Sequence, residues 1–306
     1  MSYFFQRLFI LLSSFALALV LTACQSYQGQ MPSISNATET PRSPGKIVWH
    51  DLLTDKPEET QAFYSTLLGW RFEAVDISIG SHKMPYKLIY NKDRLIGGMI
   101  DQRTLRAKVD ISQWVTLMSV DDIEASVAAV QKNGGQLFGK VADLGERGHL
   151  AVIQDSQGAI SALLQTRYGD PRDTAFPAVG DFLWNELWTK DLTAAQSFYQ
   201  NLTDFSVEAI EQEKSYFSFS SQDHARFGLM EVPLPSLDPV WVSYIRVKDE
   251  NSLHGLLKQV EALGGEILVN AQPRSIGGHV ALIRDPSGAG IALQTWPKAN
   301  LAEKGE

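Results

Sequence analysis

The sequence predicts an α+β fold built from two tandem copies of one domain, each copy a strand-helix-three-strand module performed twice. The first observation is duplication. Trp49-His50-Asp51-Leu52-Leu53-Thr54 returns as Trp184-Asn185-Glu186-Leu187-Trp188-Thr189, and Phe63-Tyr64 returns as Phe198-Tyr199 at the same offset of 135 residues. Trp114, Gly134-Gly135, Gly148-His149 and Asp155-Ser-Gln-Gly158 return as Trp241, Gly264-Gly265, Gly278-His279 and Asp285-Pro-Ser-Gly288. Solenoid and propeller units run only about 20–50 residues, so a repeat this long is a duplicated domain. The second observation is the rhythm inside each copy, where short strand patterns alternate with capped helices.

The elements follow in order. Residues 1–23 read as an export signal: Arg7 gives a positive n-region, and Leu8 to Leu21 is apolar apart from two serines, short for a membrane span. Leu21-Thr22-Ala23-Cys24 resembles the lipobox of bacterial lipoproteins. That resemblance implies cleavage before Cys24, a diacylglycerol on its thiol and an acyl chain, palmitate being expected, on the new amino terminus. Gln25, where Asp favours inner-membrane retention, leans towards the outer membrane if the cell has one. Cys24 is the single cysteine, which excludes an internal disulfide or a Cys-based metal site. Residues 24–44, rich in Ser, Gln, Pro, Thr and Asn, are expected to form a disordered tether.

Residues 45–168 form the first domain and 178–298 the second, with a linker at 169–177 and a tail at 299–306. Ile47 to Thr54 reads as a strand, and Asp55 as the N-cap of a helix with Pro57, Glu58 and Glu59 in its first turn. Phe63 and Leu67 share a face of that helix, and Gly69 stops it. Short strands are expected around Trp70–Ala74, Tyr86–Tyr90 and Leu95–Ile100. The second round opens with strand Trp114–Val120. Asp122 then caps a helix striped by Ile123, Val127 and Val130 and stopped at Asn133-Gly134-Gly135. Strands near Leu137, at His149–Gln154 and at Ile160–Gln165 complete it. The formal net charge of -8, without a basic cluster, argues against nucleic acid or a polybasic grip on lipid.

This doubled plan resembles the vicinal oxygen chelate superfamily, which includes glyoxalase I, bleomycin resistance protein and the extradiol dioxygenases. Asp191-Leu-Thr-Ala-Ala-Gln-Ser-Phe198-Tyr199, Gly264-Gly265 and Asp285-Pro286-Ser-Gly288-Ala289 carry the resemblance, and Trp-x-Glu-Leu-x-Thr points to its glyoxalase-like branch. The resemblance implies two open eight-stranded barrels, each with a concave ligand face and a convex face packed by helices. It also implies a divalent metal held by His, Glu or Gln from four strands. At three of those positions stand Trp49, Val115 and Ala162 in one copy and Trp184, Val242 and Ala292 in the other. None of these side chains offers a metal a lone pair, so neither metal nor cofactor is expected.

Period-two alternation assigns the concave faces. Trp49, Asp51 and Leu53 face the first cavity, with Val115, Leu117, Ala162 and Leu164. Trp184, Glu186, Trp188, Tyr244, Arg246 and Gln294 face the second. Glu186 and Arg246 are the informative polar pair: a buried ion pair, a clamp for a ligand carboxylate walled by aromatic rings, or a site where Glu186 acts as base. Asp51 is the counterpart of Glu186 and lacks an evident cationic partner. His50 should face the helix side, and His149 and His279 mark a shared backbone position rather than two catalytic bases.

Three functions stay open: a lipid-anchored, metal-independent protein binding a small organic ligand; a metal-free isomerase or lyase using Glu186 or Asp51; or an envelope interaction protein with vestigial cavities. The expected partners are a small molecule and, through Cys24, the membrane, but not nucleic acid. A homodimer stays open.

Overall fold

A computed structural model describes residues 28–29, 31–35, 40–79, 82–105, 111–174, 176–211, 215–233 and 237–296. The export signal, Cys24 and the C-terminal tail lie outside the described residues. The fold is α+β, with two large open sheets and few helices. In chain order the elements of the first half are β1 (Gln28–Gly29), β2 (Ile47–Thr54), α1 (Pro57–Leu68), β3 (Trp70–Ile79), β4 (His82–Asn91) and β5 (Arg94–Asp101). Then come β6 (Gln113–Ser119), α2 (Ile123–Lys132), β7 (Gln136–Asp143), β8 (Gly148–Gln154) and β9 (Ile160–Thr166). The second half has β10 (Phe182–Thr189), α3 (Leu192–Leu202), β11 (Ser206–Ala209), β12 (Tyr216–Ser221) and β13 (His224–Glu231). It ends with β14 (Val240–Val247), α4 (Glu250–Val260), β15 (Glu266–Pro273), β16 (His279–Arg284) and β17 (Gly290–Thr295).

Each module places its first strand beside its last, in parallel: β2 with β5, β6 with β9, β10 with β13 and β14 with β17. The two modules of a half join through their first strands, antiparallel, as β2 with β6 and β10 with β14. The sheet orders are therefore β1-β3-β4-β5-β2-β6-β9-β8-β7 and β11-β12-β13-β10-β14-β17-β16-β15. The helices are the crossover connections that parallel neighbours require.

Neither half keeps a convex-side core of its own. Leu52, Phe63, Tyr64 and Leu67 from the first half pack with Ile245, Leu253, Leu257 and Ile283 from the second. Met118, Ile123, Val127 and Val130 pack with Leu187, Phe198, Tyr199 and Trp241. Matched hydrogen-bond chains seal the seam. Trp114 Nε1 donates to Tyr64 Oη at 3.0 Å, and Tyr64 is bonded to Asp285. In the other copy Trp241 Nε1 donates to Tyr199 Oη at 3.3 Å, and Tyr199 donates to Asp155 at 3.2 Å. His50 meets its own repeat-mate across the seam, Nε2 to Asn185 Oδ1 at 2.9 Å, and stacks on Phe182. Burial without a carboxylate partner lowers its pKa to about 4. The repeated second glycine is explained here too: a Cβ at Gly265 would lie 2.7 Å from the Phe63 ring, and one at Gly135 3.0 Å from Phe198.

Three expectations need correction. Lys56, not Asp55, stands at the N-cap of α1, and the Thr54 hydroxyl accepts the Lys56 N–H at 3.0 Å instead. The strands β3 and β4 are ten residues each, longer than the periodic segments suggested, whereas their counterparts β11 and β12 have four and six. Residues expected in a disordered tether lie against the body. Gln28 and Gly29 pair in parallel with Asp76 and Ile77, Met31 and Ser35 are buried, and residues 40–43 are tied to the end of β9. Those ties are Thr40 Oγ1 to the Asp170 carbonyl at 2.8 Å, Arg42 Nη2 to the Thr166 carbonyl at 2.7 Å and the Ser43 N–H to Asp170 Oδ2 at 2.6 Å.

Candidate functional site

Alternation along β10 and β14 turns Glu186 and Tyr244 to the concave face of the second sheet, as the sequence suggested. Glu186 is 0% exposed. Its Oε1 accepts from Tyr216 Oη at 2.9 Å and from Arg274 Nη2 at 2.9 Å. Its Oε2 accepts from Trp188 Nε1 at 3.2 Å and from the Tyr244 hydroxyl. Arg274, 7% exposed at its side chain, also donates Nη1 to Gln294 Oε1 at 3.0 Å. Trp184 Nε1 completes the network on Tyr216 Oη at 2.8 Å. Burial and the neighbouring Glu186 charge push both tyrosines well above the ordinary phenol range, so they stay protonated donors.

The arginine is not the one expected. Arg246 does not reach Glu186: its Nη1 donates to the Pro177 carbonyl and its guanidinium lies 3.4 Å from the Phe176 ring centroid. The linker therefore occupies the end of the concave face that Arg246 shares, and Arg274 takes the ion-pair role from the β15–β16 turn. Tyr216 was also missed. The signal for it is a spacing within the duplication, since Tyr86 precedes Gly98 by the same interval that Tyr216 precedes Gly228. A Cβ at Gly228 would lie 2.0 Å from Tyr216 Oη, and one at Gly98 1.7 Å from Tyr86 Oη. Glycine there makes room for a phenol above the carboxylate.

The first sheet repeats the arrangement. Asp51 Oδ1 accepts from Trp49 Nε1 at 2.9 Å and from the Tyr86 hydroxyl. Tyr86 Oη in turn accepts from Arg147 Nη1 at 3.1 Å, and the Arg147 guanidinium lies 4.1 Å from the Trp49 ring centroid. Asp51 thus has a cationic partner, contrary to expectation. Burial nevertheless raises its pKa, with Arg147 opposing the rise. Aligning Gly148 on Gly278 puts Leu144 opposite Arg274 and Gly277 opposite Arg147, so the two arginines enter from different positions of one loop.

The halves differ in what lies above the carboxylate. The second holds an open cavity of about 310 Å³, lined by Trp188, Met230, Tyr244, Arg274, Leu282 and Ala292 among others. Glu186 and Gln294 are buried and, like the partly exposed Trp184, do not line it. The first concave face is covered: Met31 packs with Ile77, Met84, Tyr86 and Leu144, and Ile34 packs against the group of Trp49, Val115 and Leu117. A wider groove of about 510 Å³ runs along the seam past Asp121, Asp122 and Asp204, remote from both carboxylates.

Residues 181–293 match the family described as the Glyoxalase/Bleomycin resistance protein/Dioxygenase superfamily. The match falls on the second half of the chain. A Mycobacterium tuberculosis protein named as a glyoxylase, CFP32, is 28% identical over 246 residues, covering 79% of this chain and 91% of its own. The Streptomyces peucetius anthracycline biosynthesis protein DnrV is 23% identical over 277 residues, covering 82% and 93%. Among solved structures, the Mn(II)-bound glyoxalase of Novosphingobium aromaticivorans superposes with a TM-score of 0.54 at 14% identity, covering 83% of this chain and 82% of that one. Homoprotocatechuate 2,3-dioxygenase of Brevibacterium fuscum gives 0.55 at 12%, covering 86% and 84%. Both halves thus carry the vicinal-oxygen-chelate fold.

The donor set does not fit the divalent metal that this fold carries elsewhere. Both oxygens of Glu186 are engaged by two donors each, one of them a guanidinium, and its neighbours on the concave face are Val242 and Ala292. Among the described residues no group of three or more His, Asp or Glu side chains is placed to hold a metal ion.

Proposed function

We propose that this glyoxalase-like protein binds a small, uncharged, largely apolar organic molecule in its second cavity, without a metal, and is lipid-anchored through Cys24. One observation carries the ligand class: the cavity of about 310 Å³ opens above a carboxylate already neutralised by Arg274. A ligand carboxylate competing for Arg274 would strand Glu186 in a buried site, at about 3–5 kcal/mol for breaking such a pair. The walls are mainly apolar, and Gln272 and Ser275 among the lining residues can orient one polar group. The saturated hydrogen bonding of Glu186 also speaks against its acting as a base, because no lone pair is left facing a substrate.

The test is a thermal-shift comparison of 2-naphthol with 2-naphthoate. The alcohol should stabilise the protein, the carboxylate should not, and Ala292→Trp, which fills the cavity, should remove the effect. Preference for naphthoate, or a response indifferent to Ala292→Trp, would overturn the ligand class. The anchor is tested separately: a Cys24→Ser chain should leave the membrane fraction, and continued lipid labelling of that chain would refute the lipobox assignment.

A further inference from the structure

We propose that the first cavity is a second ligand site of the same class, held shut by the chain's own residues 31–35. The inference rests on the ligand class assigned to the second cavity, and it assigns a separate site with a cover of its own.

Three observations carry it. Beneath the segment lie a carboxylate on the first strand, a tyrosine bonded to it and an arginine from the β7–β8 loop that reaches the tyrosine, the same three residue roles that the open cavity has. The segment satisfies that machinery only in part. Arg147 is 1% exposed; its Nε donates to the Pro32 carbonyl at 3.2 Å and its Nη1 to Tyr86, while Nη2 is buried with no partner among the described residues. A buried guanidinium nitrogen lacking an acceptor is costly, and an oxygen-bearing ligand in place of the segment would supply what the segment does not. Third, the segment is a poor permanent filling. Met31 and Ile34 supply its apolar contacts, whereas Pro32, Ser33 and Ser35 supply few, and the Ser33 hydroxyl bonds back to the Ser35 carbonyl at 2.8 Å.

The segment is also mechanically separable. Residues 40–43 are fastened to β9 and Asp170 by bonds of their own, so the chain stays held there when residues 31–35 lift, and upstream only the two-residue pairing of Gln28 and Gly29 with β3 has to part with them. Its seat is the extended β3–β4 hairpin, where Ile77 and Met84 flank Met31. The second half has only short β11 and β12 at that place, which explains why its cavity stands open.

The experiment compares the full chain with Met31→Asp, which puts a charge into the apolar slot formed by Ile77, Met84 and Leu144. Hydrogen exchange over residues 28–35 reports release, and calorimetric titration with 2-naphthol reports stoichiometry. The expected result is faster exchange in that segment and one additional bound equivalent, which Arg147→Ala added to Met31→Asp then removes. A rise from none to one would support this site even if the second cavity proved inert. The proposal is overturned if the segment is released without a gain in stoichiometry. It is equally overturned if residues 28–35 stay protected in both Met31→Asp and Met31→Asp/Ile34→Asp, or if the native fold is lost along with the segment.

Discussion

At the residue scale the chemistry is set by which lone pairs are already used. Glu186 accepts from four side chains, so it acts as a counter-ion that fixes Tyr216, Tyr244 and Arg274 rather than as an exposed reagent. Replacing Arg274 by Ala should cost about 3–5 kcal/mol, because it leaves a buried carboxylate unmatched; chemical denaturation checks this, and a loss under 1 kcal/mol would show that the pair is solvated. His50 gives a pH-dependent prediction. Its folded pKa of about 4 lies below the ordinary 6.5, so the unfolded chain binds the extra proton between those values. Stability is therefore undiminished above pH 6.5 and is lost as pH falls towards 4, by roughly 3 kcal/mol for this group. The buried carboxylates Asp51, Asp155 and Asp285 shift the other way, so the difference between the parent and His50→Gln isolates the histidine. That difference should narrow by the stated amount between pH 6.5 and 4; a constant difference would mean that His50 is protonated in the native state.

At the element scale, strands and helices were legible because alternation, caps and stop glycines act locally. Asp122 accepts the Ala125 N–H at 3.0 Å, and Asp191 and Asp249 do the same for their helices. The concave assignment of Trp49, Asp51, Trp184, Glu186, Trp188 and Tyr244 followed from the period of two. What was not legible came from outside the strand. Arg147 and Arg274 reach the carboxylates from loops, where periodicity says nothing about direction, and the linker claims Arg246 through Phe176 and Pro177. Residues 31–35 have the composition of a disordered segment, and composition cannot see a cavity waiting for Met31 and Ile34. Tyr86 and Tyr216 were recoverable, since each stands twelve residues before the glycine that accommodates it.

At the scale of the whole molecule, the duplication is more interlocked than a boundary at residues 169–177 implies. Each convex core mixes side chains of both halves, and each Trp–Tyr–Asp chain crosses the seam. Residues 45–168 and 178–298 expressed apart should each expose a helix-bearing apolar face and fail to show cooperative thermal unfolding, while co-expression should restore it. Two independently folding halves would contradict the shared core. The central claim is that the second half offers a neutral cavity that works without a metal. Its most direct test is calorimetric titration of the chelator-treated protein with 2-naphthol, repeated after adding Mn(II). The account predicts binding with the same affinity in both conditions. Binding that appears only after Mn(II) is restored would contradict it.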